Sequence, residues 1–360
     1  MKKTLLCLGI MPLLCAFFAV TFLLISCGGG SKTPGGKGEA PDDLSAGSNL
    51  VSFVKNGKCG FIDTEGNVVI EPYFESTHIL FDEGLAAASK GGKWGFINPE
   101  GEWVVEPQYT FVSHFSEGLA LVVVDNKGGF IDRTGKMVID PRYDKSDDFS
   151  DGLAGVLLDG QYGYIDKSGN MVLRTKQNLG PFKEGRAGGY VDNSFCHIDK
   201  QGNPAGENRF DQLWSDYSEG LALVQWAGET WFVDTNDMLH FGHGYESAMP
   251  FREGIAPVLN KAADGKAPYW TVINKSGETV CRVEGSPDVV YSYSSGLALV
   301  RVGGKFGYVN RDGKVVIEPS FDNAYSFFEN GVARVTINGS DAYIDKRGKV
   351  IWKNESSATK

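Results

Sequence analysis

Past the first 26 residues, apolar positions fall in runs of four to six, broken at close intervals by glycine, proline and acidic residues. The stretch Lys93-Trp94-Gly95-Phe96-Ile97-Asn98, Glu100-Gly101, Trp103-Val104-Val105-Glu106-Pro107-Gln108-Tyr109 sets the pattern. Its two apolar runs are too short for helices and predict two strands joined by a glycine turn. Degraded copies recur along nearly the whole chain. Each is marked by an aromatic residue, two further positions and a glycine: Phe81 with Gly84, Phe115 with Gly118, Phe149 with Gly152, Phe182 with Gly185, Tyr217 with Gly220, Phe251 with Gly254, Tyr293 with Gly296 and Phe328 with Gly331. These glycines lie 34, 34, 33, 35, 34, 42 and 35 residues apart. A period that regular means a repeat architecture.

Three apolar runs follow each marker. Leu119 to Val124 exemplifies the first, and Gly129-Phe130-Ile131-Asp132 the second. The Asp or Asn that ends the second run is followed three residues later by glycine, as at Gly66, Gly101, Gly135 and Gly169. An Asx side chain can accept a backbone N–H two residues on, and glycine supplies a positive φ, so this spacing reads as a hairpin turn. The third run ends in an acid and a proline, as in Val138-Ile139-Asp140-Pro141 and Val315-Val316-Ile317-Glu318-Pro319. Proline has no N–H to give and closes the strand. Nine three-stranded meanders result, with first strands starting near Leu50, Leu85, Leu119, Leu153, Arg186, Leu221, Ile255, Leu297 and Val332. A single meander cannot bury its apolar face, so the units must stack.

The Lys-Trp-Gly-Phe-Ile and Val-Ile-Glu-Pro signatures resemble the WG (KWG) repeat family of bacterial proteins across residues 50–352. The resemblance implies β-rich repeats, often carried on exported lipoproteins, with no established reaction. Only Trp94-Gly95 keeps the full dipeptide among the copies that retain the glycine; Cys59, Tyr162 and Phe306 precede it elsewhere. Units five to seven drift furthest: Cys196-His197 replaces Gly-aromatic, Trp231 replaces glycine, and Asp237 replaces the turn glycine. The fold expected is all-β, about nine repeats of ~34 residues over 49–355, stacked as an open superhelix or a propeller-like array. Propellers often close by splitting one blade between the termini. The chain starts on a first strand and ends on a third, Val350-Ile351-Trp352, which favours an open stack or an unlatched ring.

The N-terminus adds a compartment. Lys2 and Lys3 precede an uncharged apolar run, Leu5 to Ile25, which marks a secretory signal or a membrane span. Leu24-Ile25-Ser26-Cys27 resembles a bacterial lipobox, which implies cleavage after residue 26 and lipid, palmitate included, on Cys27. Residues 27–48 are rich in Gly, Ser, Lys and Pro and predict a flexible tether. The absence of Asp directly after Cys27 resembles outer-membrane sorting, so the expected place is the bacterial cell envelope, lipid-anchored at the outer membrane. Residues 356–360 form a short tail.

Charge narrows the partners. Removing Lys2 and Lys3 from the 35 basic residues leaves 33 against 45 acidic, a net charge near −12. Such a surface repels nucleic acid and anionic lipid. Beyond the signal and Cys27, three cysteines remain, Cys59, Cys196 and Cys281, whose spacing fits no zinc or redox motif and which read as small apolar residues. Among the histidines, His240-Phe241-Gly242-His243 with Glu246 nearby lacks a convincing third ligand, so no metal site and no cofactor are expected. His78 and His114 fall in loops of adjacent units. The carboxylates at Glu71, Glu106, Asp140 and Glu318, and at Asp63, Asp132, Asp166 and Asp345, recur with the period of the fold. Paired-carboxylate catalysis needs two unique groups, so turn and strand-end roles explain them better. No nucleophile elbow occurs.

Trp214, Trp226, Trp231, Tyr245 and Trp270 crowd the divergent units, beside an insertion around Asn260 to Pro268. Rings on a repeat scaffold suit ligand or partner binding, although Trp270 aligns with Trp94 and Trp231 lies inside a strand. The function expected is a non-catalytic, lipid-anchored envelope scaffold that binds a protein or a glycan. The alternative is an envelope hydrolase with a carboxylate site in a propeller-like channel, which requires a unique polar cluster facing one axis.

Overall fold

The computed structural model describes residues 37–262 and 267–354. Among them every regular element is a strand, and the strands form nine antiparallel sheets in chain order. First strands begin at Val51, Ala86, Leu119, Ala154, Ala187, Leu221, Ile255, Leu297 and Val332, within one residue of the expected starts. The signal segment, Cys27, most of the tether and the C-terminal tail lie outside the described residues.

Unit three shows how a copy is built. A two-residue strand, Phe111–Val112, pairs with Leu119–Val124, which pairs with Lys127–Asp132, which pairs with Met137–Tyr143. The last pairing is irregular: Phe130 faces Ile139 and Gly128 faces Tyr143, so two residues on one strand span four on the other. The extra length carries Pro141, which has no ladder N–H to lose. It also lies on Gly129, where a Cβ would meet Ile139 O and Pro141 N at 2.7 Å. The relation recurs at Gly307, with Ile317 O at 2.5 Å and Pro319 N at 2.6 Å. The glycine of the Trp-Gly pair and the proline of the Glu-Pro pair are therefore two halves of one crossing, in which the third strand passes over the second.

That crossing changes the expected strand count. Beyond it the chain runs straight into the next unit, where Lys145–Ser146 pairs with Leu157 and Val156. Most meanders thus gain a short fourth strand from their predecessor. Unit one lacks it, and unit five keeps only a two-stranded sheet, with bridges Phe195–Phe210 and Ile198–Pro204 in place of a third strand.

Stacking buries the apolar faces between neighbours. Leu121, Phe130 and Ile139 of unit three meet Phe149, Val156 and Ile165 of unit four in one core, and such cores repeat around the molecule. Each such side chain contributes roughly 1.5–3 kcal/mol on burial, which is what holds individually unstable meanders together. The Asx turns form as expected: Asp132 Oδ1 accepts the N–H groups of Thr134 and Lys136 at 2.9 and 3.0 Å.

The stack closes into a propeller, and it closes without a split blade. Val51, Phe53 and Ile62 of unit one share a core with Val332 and Tyr343 of unit nine. Tyr343 donates its hydroxyl to Ser52 O at 2.7 Å, Asn330 Nδ2 donates to Ser48 O at 3.1 Å, and Phe53 and Trp352 meet edge-on at 5.4 Å. The open superhelix is thereby replaced by a ring whose seam is side-chain packing rather than strand pairing. Residues 37–48, at the end of the stretch expected to be a tether, lie on this ring: Gly38 N donates to Trp103 O at 2.9 Å, and Arg133 reaches Pro41 O. Cys59 is buried in the core shared by units one and two, and Cys196 and Cys281 carry free thiols.

Candidate functional site

The marker turns come first, because they decide which carboxylates remain for chemistry. Glu117 and Gly118 both have positive φ, 55° and 88°, and join a short strand to a first strand in the geometry of a two-residue hairpin turn. A non-glycine residue in that region costs about 1–2 kcal/mol. The acid at this position offsets the cost by reaching the next unit. Glu83 accepts Gly118 N–H at 2.9 Å, Glu117 accepts Gly152 N–H at 2.9 Å, and Asp151 accepts Gly185 N–H at 2.5 Å. Glu184, Glu219 and Glu253 do the same for Gly220, Gly254 and Gly296 at 2.7, 3.1 and 3.1 Å. Lys167, Lys275 and Arg311 add ion pairs to Glu117, Glu219 and Glu253 at 3.1 Å. These acids, like the Asx turns, are bound into the scaffold.

The short strands converge on one edge of the sheets. Asp148 in unit four acts on Asp82 in unit two, and Asp147 in unit four and Asp216 in unit six both act on Tyr164. Groups separated by a whole unit come within electrostatic reach only where the units converge, so this is the inner edge of the ring. Here lies a set of titratable residues that does not repeat. His114 Nδ1 sits 3.4 Å from Asp148 Oδ2. Burial, and then the neighbouring His114, pushes His78 down to about 3, so its ring is neutral at physiological pH. Burial pushes Asp82 up to about 6 against the pull of His114, with Glu83 and Asp148 adding to the rise. Asp147 and Asp216 expose their side chains, yet the ring encloses them, and that enclosure raises both.

Sequence reasoning placed His78 and His114 in neighbouring loops but missed Asp147, Asp148 and Asp216. The signal was available. The residue before each marker aromatic varies from unit to unit, as His114, Asp148, Pro181, Asp216, Pro250 and Ser292, while the marker itself is kept.

The divergent aromatics do not share a face. Tyr245 and Trp270 are 3% and 4% exposed and belong to two different cores. Trp214 packs beside Leu221 and Phe251, and Trp231 beside Tyr217 and Val233. Trp226 alone is open to solvent, 40% exposed, with its ring edge-on to Trp231 at 5.6 Å. The five residues therefore do not gather on one face: Trp214 and Tyr245, Trp270, and Trp231 pack against three different inter-unit cores. His240 and His243 pack on Phe241 and Tyr245, and among the described residues no group of three or more His, Cys, Asp or Glu side chains is placed to hold a metal ion.

Two of the sequence departures turn out to be one feature. His197 of unit five, where other units carry Phe or Tyr, bonds through Nδ1 to Asp237 Oδ1 at 2.6 Å. Asp237 stands where other units have the turn glycine and keeps that glycine's positive φ, 57°. Its carboxylate also accepts His197 N–H at 3.1 Å and the Tyr217 hydroxyl at 3.1 Å. His197 and Asp237 are 1% and 0% exposed, so the pair is sealed inside the unit five–six interface.

The comparisons agree with this architecture. The family described as WG containing repeat matches residues 60–94, 94–127, 129–162, 162–188, 288–306 and 306–340. The ring is a β-propeller of repeated short meanders, and the chain belongs to the WG-repeat family. No curated protein matches the sequence. Among solved structures, one described as a eukaryotic initiation factor is 10% identical, with 85% of this chain and 95% of that chain covered at a TM-score of 0.59. At that identity the likeness concerns the fold alone. The dihydro-heme d1 dehydrogenase NirN is 10% identical over 88% of this chain and 75% of its own, at a TM-score of 0.41. A quinonprotein alcohol dehydrogenase-like protein from Bacteroides thetaiotaomicron is 13% identical over 75% and 81%, at 0.36. Likeness of that degree carries no argument about activity.

Proposed function

We propose that this chain is a non-catalytic propeller scaffold of the bacterial cell envelope, anchored by lipid on Cys27 at the outer membrane and binding a protein or glycan partner. One observation carries the non-catalytic part. The marker-turn carboxylates that repeat around the ring accept hydrogen bonds from the scaffold's own turns at 2.5–3.1 Å, which supports a structural rather than a reactive role for them. The anchoring part rests on the lipobox-like Leu24-Ile25-Ser26-Cys27 and the uncharged apolar run before it. Metabolic labelling with an alkyne fatty acid tests it: the full chain takes up label and sediments with membranes, and C27A does neither. Binding is tested by reproducible capture from envelope extracts together with a glycan array. Failure of both counts against the scaffold reading.

A second reading, an envelope hydrolase, draws on one observation: Asp82, His114 and Asp148 form a non-repeating polar set on the inner edge. It predicts turnover of an envelope polymer that D82N and D148N abolish.

A further inference from the structure

Around the ring, a carbonyl near the end of each first strand accepts a hydrogen bond from the segment that arrives from the unit before. In units two, three, four, six, seven, eight and nine the donor is a backbone N–H at 2.8–3.4 Å, as from Glu75 to Ser89 O, Asp144 to Leu157 O and Asp322 to Thr336 O. In unit five, which has no short strand, Gln177 Nε2 donates to Tyr190 O instead. Val54 O holds this place in unit one. Ser52, two residues earlier on that strand, sends its N–H to Ile79 O, so the Val54 N–H and C=O face the same inner edge. No described residue donates to Val54 O.

The arriving residue has a second task. Every backbone donor of this set except Thr110 is Asp or Glu. Glu75 accepts Gly92 N–H at 2.9 Å, Asp144 accepts Asp159 N–H at 3.2 Å, and Asp322 accepts Gly339 N–H at 3.1 Å, each time in the hairpin turn of the unit being entered. The matching turn of unit one is Asn56-Gly57, flanked by Lys55 and Lys58, and no described carboxylate bonds to it. Unit nine delivers the chain to this spot. Asn354 N donates to Asp341 O at 2.8 Å, so it stands opposite Asp341 as Phe321 stands opposite Phe306, just before the donor Asp322. The residue after Asn354 is Glu355, an acid where the other units carry one. Ser52 O already accepts the Tyr343 hydroxyl, which leaves the Val54 rung as the open one.

We propose that Glu355 clasps the last unit to the first: its N–H donates to Val54 O, and its carboxylate accepts Gly57 N–H between Lys55 and Lys58. The seam of side-chain packing thereby gains a backbone bond and a charge-assisted one, the same pair that Glu75, Asp144 and Asp322 supply elsewhere. The clasp rests on the ring alone and is independent of the anchor and of any partner.

Oxidation of the full-chain N56C/E355C variant tests it, with N56C/E100C as the distant pair and the bridged peptides mapped by mass spectrometry. The expected result is a bridge within one chain that forms about tenfold faster, or more, in N56C/E355C, because the clasp holds the two positions side by side. Amide exchange supplies a second readout without cysteines. E355A should speed exchange at Gly57 about fivefold, roughly the net worth of one hydrogen bond, while Gly92 and Gly339, held by Glu75 and Asp322, are unchanged. E355D, which carries the acid that unit nine receives from Asp322, should keep most of the protection. A bridge that joins two chains would give the open edge to a second copy and overturn the proposal. Equal rates for the two cysteine pairs, or a Gly57 amide indifferent to E355A, would overturn it as well.

Discussion

Replacing His197 by Phe, the residue type its neighbours carry, would strand the Asp237 carboxylate. That group is fully buried and would lose its 2.6 Å partner while keeping the His197 N–H and the Tyr217 hydroxyl. Removing one member of a buried pair costs about 3–5 kcal/mol. Asp237→Gly is milder. It frees His197 Nδ1, which still has the Tyr217 hydroxyl at 3.4 Å, and it relieves a positive φ, so a loss of about 1–3 kcal/mol is offset by about 1. The double variant restores the aromatic and glycine that other units use at these positions. It should lie within about 1 kcal/mol of the unaltered chain, well short of the sum of the single losses. Urea unfolding of the four proteins, read by tryptophan fluorescence, measures the coupling. If the double variant is as unstable as the two single losses added together, the pair is not a joint replacement for the repeat's own packing, and the reasoning fails.

Four other outcomes follow from the same geometry. Asp82 occupies the position of Ser116, Ser150 and Ser218, whose hydroxyls donate to the next unit's marker carbonyl at 2.6–2.8 Å. Because its folded pKa is raised to about 6 by burial, the fold favours its protonated form, and its stability contribution is present below about pH 4 and lost as pH rises through 6. Asp82→Ser should therefore gain about 1–2 kcal/mol at pH 7 and flatten that part of the thermal pH profile. Asp166 works in the opposite sense: the Asn170 N–H holds it below the usual range, against opposing burial, with Asn170 Nδ2 and Ser168 N–H assisting. Its contribution is present above its unfolded pKa of about 3.9 and disappears as pH falls through the depressed value, so D166A should unfold at higher pH in an acid titration. Gly129→Ala drives a Cβ into Ile139 O and Pro141 N at 2.7 Å and should cost more than about 2 kcal/mol, whereas Gly242→Ala meets nothing within 4 Å and should be neutral in the same melt. Glu219→Gln removes a partly exposed carboxylate from Gly254 and Lys275, and a change of only about 0.5–1 kcal/mol is expected.

What the sequence revealed follows the range of the interaction. Asp132 capping Thr134 and Lys136, or Gly129 lying beneath Pro141, are settled within a dozen residues, so period, unit starts and turns were legible. The acid at the third marker position bonds to a glycine some 35 residues on, and without that partner it looked like a variable site. His197 and Asp237 appeared as two unrelated departures because 40 residues separate them. Trp270 and Tyr245 looked like a binding surface because ring size alone does not say which way a side chain points. The carboxylates of the inner edge were hidden for a further reason: their meaning lies in which units converge. Closure was illegible because its seam is made by Tyr343, Asn330 and Trp352 rather than by a split strand.

The ring itself is the claim on which the inner edge and the turn latches depend. Spin labels on unnatural amino acids at Glu65 and Lys353, read by double electron–electron resonance, test it most directly. In the closed ring the turn at Gly66 rests on the backbone of Ile351, so the labels should lie below about 25 Å apart in a narrow distribution. Nine units stacked openly at the usual sheet spacing of about 10 Å would place them roughly 80 Å apart. A broad distribution near that longer distance would contradict the closed propeller.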